Sequence, residues 1–417
     1  MKVLLLNQCF YPDVVSTAQH LTDLALGLRE RGHEVTVVAS SRGYDDPTAR
    51  FESREVWKGV QIVRLPTTGL GKGRRWRRAV DFASFLASCA WRLSMLPRFD
   101  AVVVLTSPPL ISFLAALFTR LKGGRLVFWV MDLNPDEAVA AGWLRGDSFT
   151  ARALDRVLLY SLRRSHQIIA LDRFAKKRIS DKGDFERKTA VIPPWSHDQQ
   201  VRYDASGRAE FRAQHGLSDK FVVMYSGNHS PCHPLDTLLE AARRLAGNRE
   251  IAFCFVGGGS EFAKVRSFAK LHHLTNVVCL PYQPLGRLAA SLSAADLHVV
   301  VMGDRFVGIV HPCKIYNILS IGAPFLYIGP AESHIADISS RVGPDTCLAR
   351  HGEAERVADA ILERARRSGA GGRLETGRNE NNRLSCDFSM ETLVPRMIRI
   401  LETAPEEFPM RESAASG

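Results

Sequence analysis

The chain has 417 residues, a formal net charge of +11, 46% hydrophobic residues and 24% charged residues. These proportions are ordinary for a globular protein and exclude extensive disorder or a fibrous repeat. No run of ~18 apolar residues occurs, which excludes a polytopic membrane protein, and the length predicts two or three domains.

The positive charge is concentrated in the first half of the chain. Residues 1–200 contain 30 basic and 20 acidic residues, whereas residues 201–417 contain 25 and 24. A basic half attracts an anionic partner, which can be a nucleic acid, an anionic membrane surface or a phosphorylated substrate.

The eight cysteines show neither a Cys-x-x-Cys pair nor a Cys/His cluster with zinc spacing. Scattered cysteines in apolar surroundings are typical of thiols in a reducing compartment. The opening MKVLLLNQCFYPD has an apolar run too short for a signal peptide. We therefore expect a cytoplasmic chain without a structural metal.

Short apolar strands alternate with amphipathic helices along the first half. Residues 3–6 predict a buried strand, 17–31 a helix and 34–39 a second strand. Further strands are predicted at 60–64, 101–105, 125–130, 166–170 and 190–192. This alternation predicts a mostly parallel sheet with helices on both faces.

Pro193 and Pro194 interrupt the pattern, which then starts again. We therefore predict an N-terminal Rossmann-like domain (1–192), a linker (193–201), a C-terminal Rossmann-like domain (202–385), a last helix (386–404) and a flexible tail (405–417). The second domain has predicted strands at 220–225, 251–256, 276–280, 296–301 and 324–328, and predicted helices near 234–246, 260–271, 284–294, 311–320 and 353–367. The predicted fold class is α/β, with two doubly wound parallel-sheet domains facing a central cleft.

The turn after the first strand has no glycine before Gly27, although a dinucleotide-binding fingerprint needs Gly-x-Gly-x-x-Gly there. This argues against a nicotinamide or flavin dehydrogenase. Ser16 and Thr17 precede the first helix, either as an ordinary helix cap or as part of a helix N-terminus that binds an anion.

Asp132 follows the predicted strand at 125–130, where parallel strands place ligand-binding residues. It is either a catalytic carboxylate or an acid that only caps a loop. Gly227 and Asn228 follow the first strand of the second half, in a turn that either approaches a ligand closely or is an ordinary connection.

Lys314 lies in the first turn of a helix that Pro312 is predicted to open. A cation at that end opposes the helix macrodipole. The arrangement therefore indicates an anion shared between the lysine and the helix N-terminus.

Several of these segments carry a family resemblance. FYPD, LRERGHEVTVVAS, DLNPDEAVAAGWL, VIPPW, YSGNH and HPCKIYNILSIGAPFLYIGPAES occur in this order over most of the chain. The chain resembles the retaining glycosyltransferases of family 4 (group 1), which have the two-domain GT-B fold, and in particular the colanic-acid and aminofucose transferases of bacterial surface polysaccharides. The resemblance implies a nucleoside-diphosphate sugar in the C-terminal domain, an acceptor in the N-terminal domain and no obligatory metal or cofactor.

The chain departs from the common family pattern at four positions. The two usual glutamates align with Ile309 and Asn317, and the usual arginine and lysine align with Asn228 and His233. The resemblance then implies that Lys314 supplies the phosphate-binding charge and that Asp132 faces the reacting sugar. The donor-binding residues it implies are Gly227, Asn228, Pro281, Tyr282, His311, Lys314, Tyr316, Asn317 and Glu332. The missing acids leave two alternatives, a catalytically silent binding subunit and a sugar-nucleotide epimerase of the same fold.

Residues 72–98 contain seven basic side chains and one acid, Asp81, with interleaved aromatic residues. The apolar positions of this stretch that recur at helical spacing are Ala79, Phe82, Ala83, Leu86, Ala90 and Leu93. We expect a surface that docks on an anionic membrane and meets a polyprenyl-diphosphate-linked acceptor on the inner face of the plasma membrane. Its proposed contacts are Arg74, Arg75, Trp76, Arg77 and Arg78. The alternative is an ordinary core helix with a solvated basic end; a nucleic-acid partner is not expected, because no other feature of such a module occurs.

Overall fold

The computed structural model describes residues 1–44, 46, 48–71, 75–196, 201–343, 346–369 and 384–403. The chain divides into two compact units. The first unit comprises Met1–Val139, Leu144–Pro193 and the chain from Leu393 onward, and the second comprises Ala140–Trp143 and Pro194–Thr392. The division at Pro193 lies at the start of the predicted linker, of which residues 197–200 are outside the described residues.

Within the described residues, the first unit has a sheet of eight strands in the order β3-β4-β2-β1-β5-β6-β7-β8. All neighbouring strands are parallel except β3 and β4. The strands are β1 (Lys2–Leu6), β2 (Glu34–Ser40), β3 (Arg54–Trp57), β4 (Val60–Leu65), β5 (Ala101–Val104), β6 (Arg125–Trp129), β7 (Gln167–Ala170) and β8 (Thr189–Val191). The continuous apolar runs of β1 and β5 are completely buried, as expected for central parallel strands with helices on both faces.

The helices of the first unit are α1 (Ser16–Glu30), α2 (Arg75–Met95), α3 (Ile111–Lys122), α4 (Asp136–Ala140), α5 (Phe149–Arg164) and α6 (Arg173–Ser180). Strand β3 was not predicted. It is short, half exposed and antiparallel, so it lacks the continuous apolar run by which the parallel strands were recognised.

The apolar positions of α2 divide between the core and the surface. Phe85, Cys89 and Leu93 are buried, whereas Ala79 and Ala83 of the apolar set in the sequence are exposed. Large residues spaced four apart define the buried stripe. The small alanines indicated an apolar face that the helix does not bury.

The last helix of the described chain, α14 (Met390–Glu402), starts four residues later than predicted. The Ser389 hydroxyl accepts a hydrogen bond from the Thr392 amide (3.2 Å), as a capping side chain does. Arg125 in β6 donates to the carbonyl groups of Leu401 (2.6 Å) and Thr403 (2.9 Å). These bonds attach the end of the helix to the first unit. The predicted tail, 405–417, is outside the described residues.

The second unit has a parallel sheet whose six described strands have the order β11-β10-β9-β12-β13-β14. The strands are β9 (Phe221–Asn228), β10 (Ile251–Gly258), β11 (Val277–Leu280), β12 (Leu297–Val301), β13 (Phe325–Ile328) and β14 (Cys347–Ala349). The described helices are α7 (Ala205–Gln214), α8 (Asp236–Arg244), α9 (Phe262–Leu271), α10 (Leu288–Ser293), α11 (Lys314–Ser320), α12 (His334–Val342) and α13 (Ala354–Gly369). The prediction missed β14, which has only three residues, and α12, which the Ser333 hydroxyl caps.

Helix α11 starts at Lys314 and not at residue 311. Pro312 therefore precedes the helix, and Cys313 occupies the N-cap position.

None of the described helices is long and apolar enough to cross a membrane. All eight cysteines are among the described residues, and none of them forms a disulfide there.

Candidate functional site

The second unit has a topological switch point at the end of β9. Strands β10 and β12 flank β9, and the chain order runs in opposite directions on its two sides. Ligands of doubly wound folds bind beyond the carboxyl ends of the strands at such a point. Gly227 and Asn228, both predicted donor-binding residues, form this end of β9.

Two glycines let the ends of β9 and β10 approach closely. Gly257 has a φ of +134°, and a Cβ atom there would lie 2.1 Å from the carbonyl oxygen of Gly227. Gly227 has a φ of +130°, and a Cβ atom there would lie 3.3 Å from Cε of Lys314. Side chains at these positions would fill the space beside Lys314.

Lys314 is the first residue of α11, and its ammonium group points into the protein. Its Nζ atom is buried and has no hydrogen-bond partner among the described residues. The atom lies 3.5 Å from the centre of the Tyr225 ring, which is close enough for a cation–π contact. Burial lowers the pKa of Lys314 to about 7. The amine is therefore near half-protonation at neutral pH, and no carboxylate of the described residues forms an ion pair with it.

Two histidines near Lys314 are neutral at physiological pH. Burial, together with the positive charge of Lys314, lowers the pKa of His229 to about 4 and that of His233 to about 3. His229 Nδ1 lies 3.0 Å from the Gly227 carbonyl oxygen and donates to it when that nitrogen carries the proton. Neither imidazole supplies negative charge, so within the described residues an anion entering this pocket would be the counter-ion of Lys314.

Some of the other predicted donor-binding residues surround this pocket in the same unit. The backbone carbonyl oxygen of Asn228 accepts a hydrogen bond from the Tyr225 hydroxyl (2.9 Å). Tyr282 is exposed and lies over Gly258, where a Cβ atom would come within 3.1 Å of the ring. Pro281 is exposed beside it. An exposed ring beside the switch point is suited to stacking on a nucleotide base.

The remaining predictions in α11 and after β13 have different surroundings. His311 Nε2 and the Tyr316 hydroxyl lie 2.6 Å apart, and the His311 ring stacks on His334 at 3.7 Å. Tyr316 is buried in a hydrophobic cluster of the second unit. Asn317 is half-buried in α11, and Glu332 is exposed before α12.

Sequence reasoning missed Tyr225 and His229 as pocket residues. Tyr225 is buried within β9, and from the sequence an aromatic residue in a strand is predicted to be part of the hydrophobic core. Only its contact with Lys314 in the structure shows that it also borders the pocket. His229 was visible in the YSGNH segment, but no spacing rule links it to Lys314, which lies 85 positions later in the numbering. The fold alone brings these residues together.

In the first unit, Asp132 lies in the turn after β6, and its backbone amide donates to the Thr106 hydroxyl (3.3 Å). Burial and the neighbouring Glu137 carboxylate raise the pKa of Asp132 to about 8, against the positive charge of Arg78. Burial also raises the pKa of Glu137, to which Asn134 donates a hydrogen bond (3.3 Å). Sequence reasoning found Asp132 and missed Glu137, which completes a carboxyl pair near one arginine.

Ser16 and Thr17 are the first residues of α1, and the N-cap position belongs to Val15. The prediction that they precede the helix was therefore wrong by one residue. The Ser16 hydroxyl lies 3.2 Å from His20 Nδ1, within its own helix, and both Ser16 and Thr17 are half-buried.

The basic segment is described in part. Arg74 is outside the described residues, and Arg75 starts α2. Trp76, Arg77 and Arg78 are exposed, and the Arg77 guanidinium lies 5.5 Å from the centre of the Trp76 ring. Arg78 also donates to the Tyr44 hydroxyl (3.2 Å).

The sequence matches two family models. The model described as a glycosyl transferase 4-like domain matches residues 17–195, and the model described as glycosyl transferases group 1 matches residues 207–311. A protein of Escherichia coli strain K12, named as the colanic acid biosynthesis glycosyl transferase WcaI, is 24% identical over 81% of this chain and 86% of its own length. The glycosyltransferase WbjE of Pseudomonas aeruginosa is 24% identical over 63% of this chain and 65% of its own length.

The fold also matches solved structures. The crystal structure of Anabaena Alr3699/HepE in complex with UDP and glucose aligns with a TM-score of 0.71 at 16% identity, over 96% of this chain and 99% of that one. At this level of identity the match concerns the fold.

Proposed function

Because the chain belongs to the group 1 glycosyltransferases of family 4 and has their GT-B fold, we propose that it transfers a sugar from a nucleoside-diphosphate donor to a lipid-linked glycan acceptor, with retention of anomeric configuration. The product would be a surface polysaccharide, as the name of the Escherichia coli relative suggests. The observation that carries this proposal is the buried amine of Lys314, which has no hydrogen-bond partner among the described residues and lies at the switch point of the second unit.

The donor pocket takes the diphosphate at Lys314. Its ammonium group neutralises the phosphate oxygens, and the glycines at the ends of β9 and β10 leave room for them. Tyr282 and Pro281 flank the base, and Asn317 binds the ribose as a neutral group. The support for this arrangement is the Lys314 amine, which has no hydrogen-bond partner among the described residues, and the complex of the similarly folded Anabaena protein with UDP and glucose.

The reaction breaks the bond between the sugar C1 and the phosphate oxygen, and the electron pair stays with the departing diphosphate. Charge grows on that oxygen in the transition state, where a cation already in place is most effective. The acceptor oxygen forms the new bond to C1 on the same face, and its proton passes to the diphosphate. A protein nucleophile is not part of this route.

The proposal assigns Asp132, in the first unit, to a hydrogen bond with a sugar hydroxyl. With its pKa raised to about 8, the carboxyl group is mostly protonated at neutral pH and can donate a hydrogen bond to a sugar hydroxyl. Glu137, beside it, accepts a hydrogen bond from Asn134. The proposal assigns the pair to orienting hydroxyl groups.

The proposal includes no resident metal or cofactor, because Lys314 performs the charge neutralisation that a divalent cation would otherwise supply. Activity should therefore survive chelation by EDTA. Loss of activity in EDTA that returns with Mg²⁺ would contradict this part of the proposal.

The decisive experiment incubates the protein with a panel of nucleoside-diphosphate sugars and a polyprenyl-diphosphate-linked acceptor, and follows both substrates by mass spectrometry. A glycosylated acceptor together with free nucleoside diphosphate supports the proposal. Binding without turnover would indicate the silent subunit, and conversion of the donor sugar without acceptor would indicate the epimerase. The anomeric configuration of the product, read by NMR, tests retention.

The proposal places the protein on the inner face of the plasma membrane, where a lipid-linked acceptor is held. Helix α2 carries exposed apolar residues along its length, namely Trp76, Val80, Trp91 and Met95. Leu121 of α3 is 80% exposed, and the neighbouring Lys122 donates to the Ser94 carbonyl oxygen of α2 (3.2 Å). Exposed apolar residues beside basic ones are suited to the head-group region of an anionic bilayer.

Co-sedimentation with vesicles tests this placement. Binding should require anionic lipid, weaken at high salt and fall about tenfold or more when Trp91 and Leu121 are changed to Ser. Phe149→Ser removes a similarly exposed aromatic residue from α5 and serves as the matched control. Equal binding of the double variant and the parent would contradict the membrane assignment.

A further inference from the structure

The reaction proposed above gives no role to the imidazole of His229, which borders the donor pocket. His229 directly follows Asn228, the last residue of β9, and its side chain is completely buried. Its Nε2 atom is buried and has no hydrogen-bond partner among the described residues. Buried polar atoms without a partner are uncommon in folded proteins, so this nitrogen is a candidate contact for a ligand.

The His229 ring is fixed in place close to Lys314. The centre of the Tyr225 ring lies 3.5 Å from Lys314 Nζ and 4.9 Å from the centre of the imidazole. Phe262 of α9 also packs against the imidazole, with 4.7 Å between the ring centres and an interplanar angle of 62°. The Gly227 carbonyl oxygen lies 3.0 Å from His229 Nδ1. Two aromatic contacts and one hydrogen bond therefore hold the imidazole beside the lysine.

The contact with Gly227 determines the tautomer of His229. A carbonyl oxygen only accepts hydrogen bonds, so Nδ1 carries the proton in this contact. The other nitrogen of a neutral imidazole then has a lone pair. Burial and the positive charge of Lys314 lower the pKa of His229 to about 4, so Nε2 stays unprotonated at neutral pH. Nε2 is therefore a buried hydrogen-bond acceptor.

This acceptor restricts the chemistry of the ligand. The oxygen atoms of an ionised diphosphate also only accept hydrogen bonds, so they cannot satisfy the Nε2 atom of His229. A hydroxyl group can, because it donates a hydrogen. Lys314, in the same pocket, favours an anion. A carbohydrate joined to a diphosphate offers both groups in one ligand.

The turn after β9 lacks the cations of the common family pattern. The usual arginine and lysine align with Asn228 and His233 in this chain. Burial and the charge of Lys314 lower the pKa of His233 to about 3, so this imidazole adds no positive charge. Its Nδ1 atom is also buried, without a hydrogen-bond partner in the part of the chain that the structure describes. A turn with neutral side chains is suited to hydroxyl groups and not to further phosphate charge.

We propose that His229 is a specificity-determining residue of the donor pocket, whose Nε2 atom accepts a hydrogen bond from a hydroxyl group of a carbohydrate attached to the diphosphate. This inference rests on the proposed function and goes beyond it, because it assigns a role to a residue that the proposed reaction leaves unused. Two parts of a nucleoside-diphosphate sugar carry such hydroxyl groups, the transferred sugar and the ribose. A donor that lacks the hydroxyl in question binds more weakly.

Isothermal titration calorimetry of the full chain with three probes tests the proposal. Pyrophosphate has no carbohydrate, UDP has the ribose, and UDP-glucose has the ribose and a transferable sugar. His229→Asn keeps an N–H donor for the Gly227 carbonyl oxygen and removes the acceptor at the position of Nε2. It should weaken UDP-glucose by about threefold or more and leave pyrophosphate unchanged. An equal loss for UDP assigns the hydroxyl to the ribose, and a loss confined to UDP-glucose assigns it to the transferred sugar.

His229→Gln separates recognition of the ligand from a structural role. Its longer side chain places an amide oxygen near the position of Nε2 and gives up the hydrogen bond to Gly227. It should therefore retain most of the affinity for UDP-glucose that His229→Asn loses. The opposite order, or an equal loss for all three probes, would mean that His229 only supports the turn. His272→Gln changes an exposed histidine at the end of α9 and is the matched control, which should alter no probe.

A change in the ligand tests the same contact when a variant does not fold. Fluorine donates no hydrogen bond, so at least one UDP-glucose analogue with a single hydroxyl replaced by fluorine should bind the parent about threefold more weakly than UDP-glucose. The 2′-deoxy and 3′-deoxy forms of UDP test the ribose in the same way. His229→Asn should bind the affected analogue as well as it binds the complete ligand. If the parent binds every analogue as well as the complete ligand, the inference is overturned.

The binding experiments and the transfer experiment fail independently. If sugar transfer is found and His229→Asn binds all three probes as the parent does, the inference is overturned while the proposed function stands. If His229→Asn loses affinity for UDP-glucose but no transfer is found with any donor, the assignment of His229 stands and the proposed function fails. Circular dichroism of each variant establishes that the fold is intact.

Discussion

The two units present their cations in opposite ways. In the second unit, Lys314 extends a buried amine over the Tyr225 ring, and burial lowers its pKa to about 7. In the first unit, Arg78 lies at the surface and donates to the Tyr44 hydroxyl, and a guanidinium group is a permanent cation in proteins. The lysine gains its full charge only when an anion arrives, whereas the arginine is charged before any ligand binds.

This difference corresponds to two tasks. A pocket that stabilises the charge growing on a leaving group benefits from a desolvated amine that becomes fully protonated when the anion binds. A surface that must attract an anionic partner benefits from a permanent, exposed charge. The predictions that follow test the two halves of this comparison.

The largest effect is expected for Lys314→Met. The substitution keeps the length of the side chain and removes the cation, so kcat/KM for sugar transfer should fall by roughly 10²-fold or more. Steady-state kinetics on the purified variant measure this. Lys270→Met, which removes an exposed lysine of α9 in the same unit, is the control and should be close to the parent. Transfer by Lys314→Met at the rate of the parent would remove the lysine from the mechanism.

A smaller effect is expected from pH on the binding of UDP. Above pH 7 the Lys314 amine of the unliganded protein is mostly neutral, and a bound diphosphate must raise its pKa. UDP affinity should therefore fall as pH rises from 7, by up to about tenfold per pH unit while the amine takes up one proton. Calorimetry in buffers of different ionisation enthalpy measures that proton directly.

Lys314→Met should bind UDP weakly and without this proton uptake. Proton uptake that persists in the variant would assign the titration to another group. His229 and His233 are poor candidates, because their pKa values are already lowered to about 4 and about 3.

Much of the fold could be predicted from the sequence, because parallel strands that are buried on both faces appear as continuous apolar runs. β1, β5 and β12 are examples. The elements that were missed lack that signal. β3 is half exposed, and β14 has three residues.

The candidate sites were predictable only where a polar residue follows a recognised strand or opens a recognised helix. Asp132 and Lys314 satisfied that condition. Tyr225 and Glu137 did not, since the first is typical of a core residue in β9 and the second gains its significance from its position beside Asp132. Such properties depend on tertiary packing, which no local pattern encodes.

The smallest expected effects are on stability, and they have opposite pH dependence in the two units. The pKa of Lys314 is lowered from 10.5 to about 7 on folding, so the unfolded chain binds more protons between these values and stability rises with pH there. The pKa of Asp132 is raised from 3.8 to about 8, so the folded chain binds more protons in that window and stability falls as pH rises. Each group therefore costs stability in its charged form, but in a different pH range.

Lys314→Met should accordingly stabilise the protein at and below pH 7, by about 1–3 kcal/mol, and the gain should vanish above pH 10.5. Asp132→Asn should stabilise it above pH 8 by a similar or smaller amount, and the gain should vanish near pH 4. Urea unfolding of the parent and both variants across this pH range measures the two profiles. A gain that does not depend on pH would mean that packing and not charge burial is responsible. If the stability gains of the two variants changed with pH in the same way, they could not be assigned to a buried cation in one unit and a protonated carboxyl group in the other.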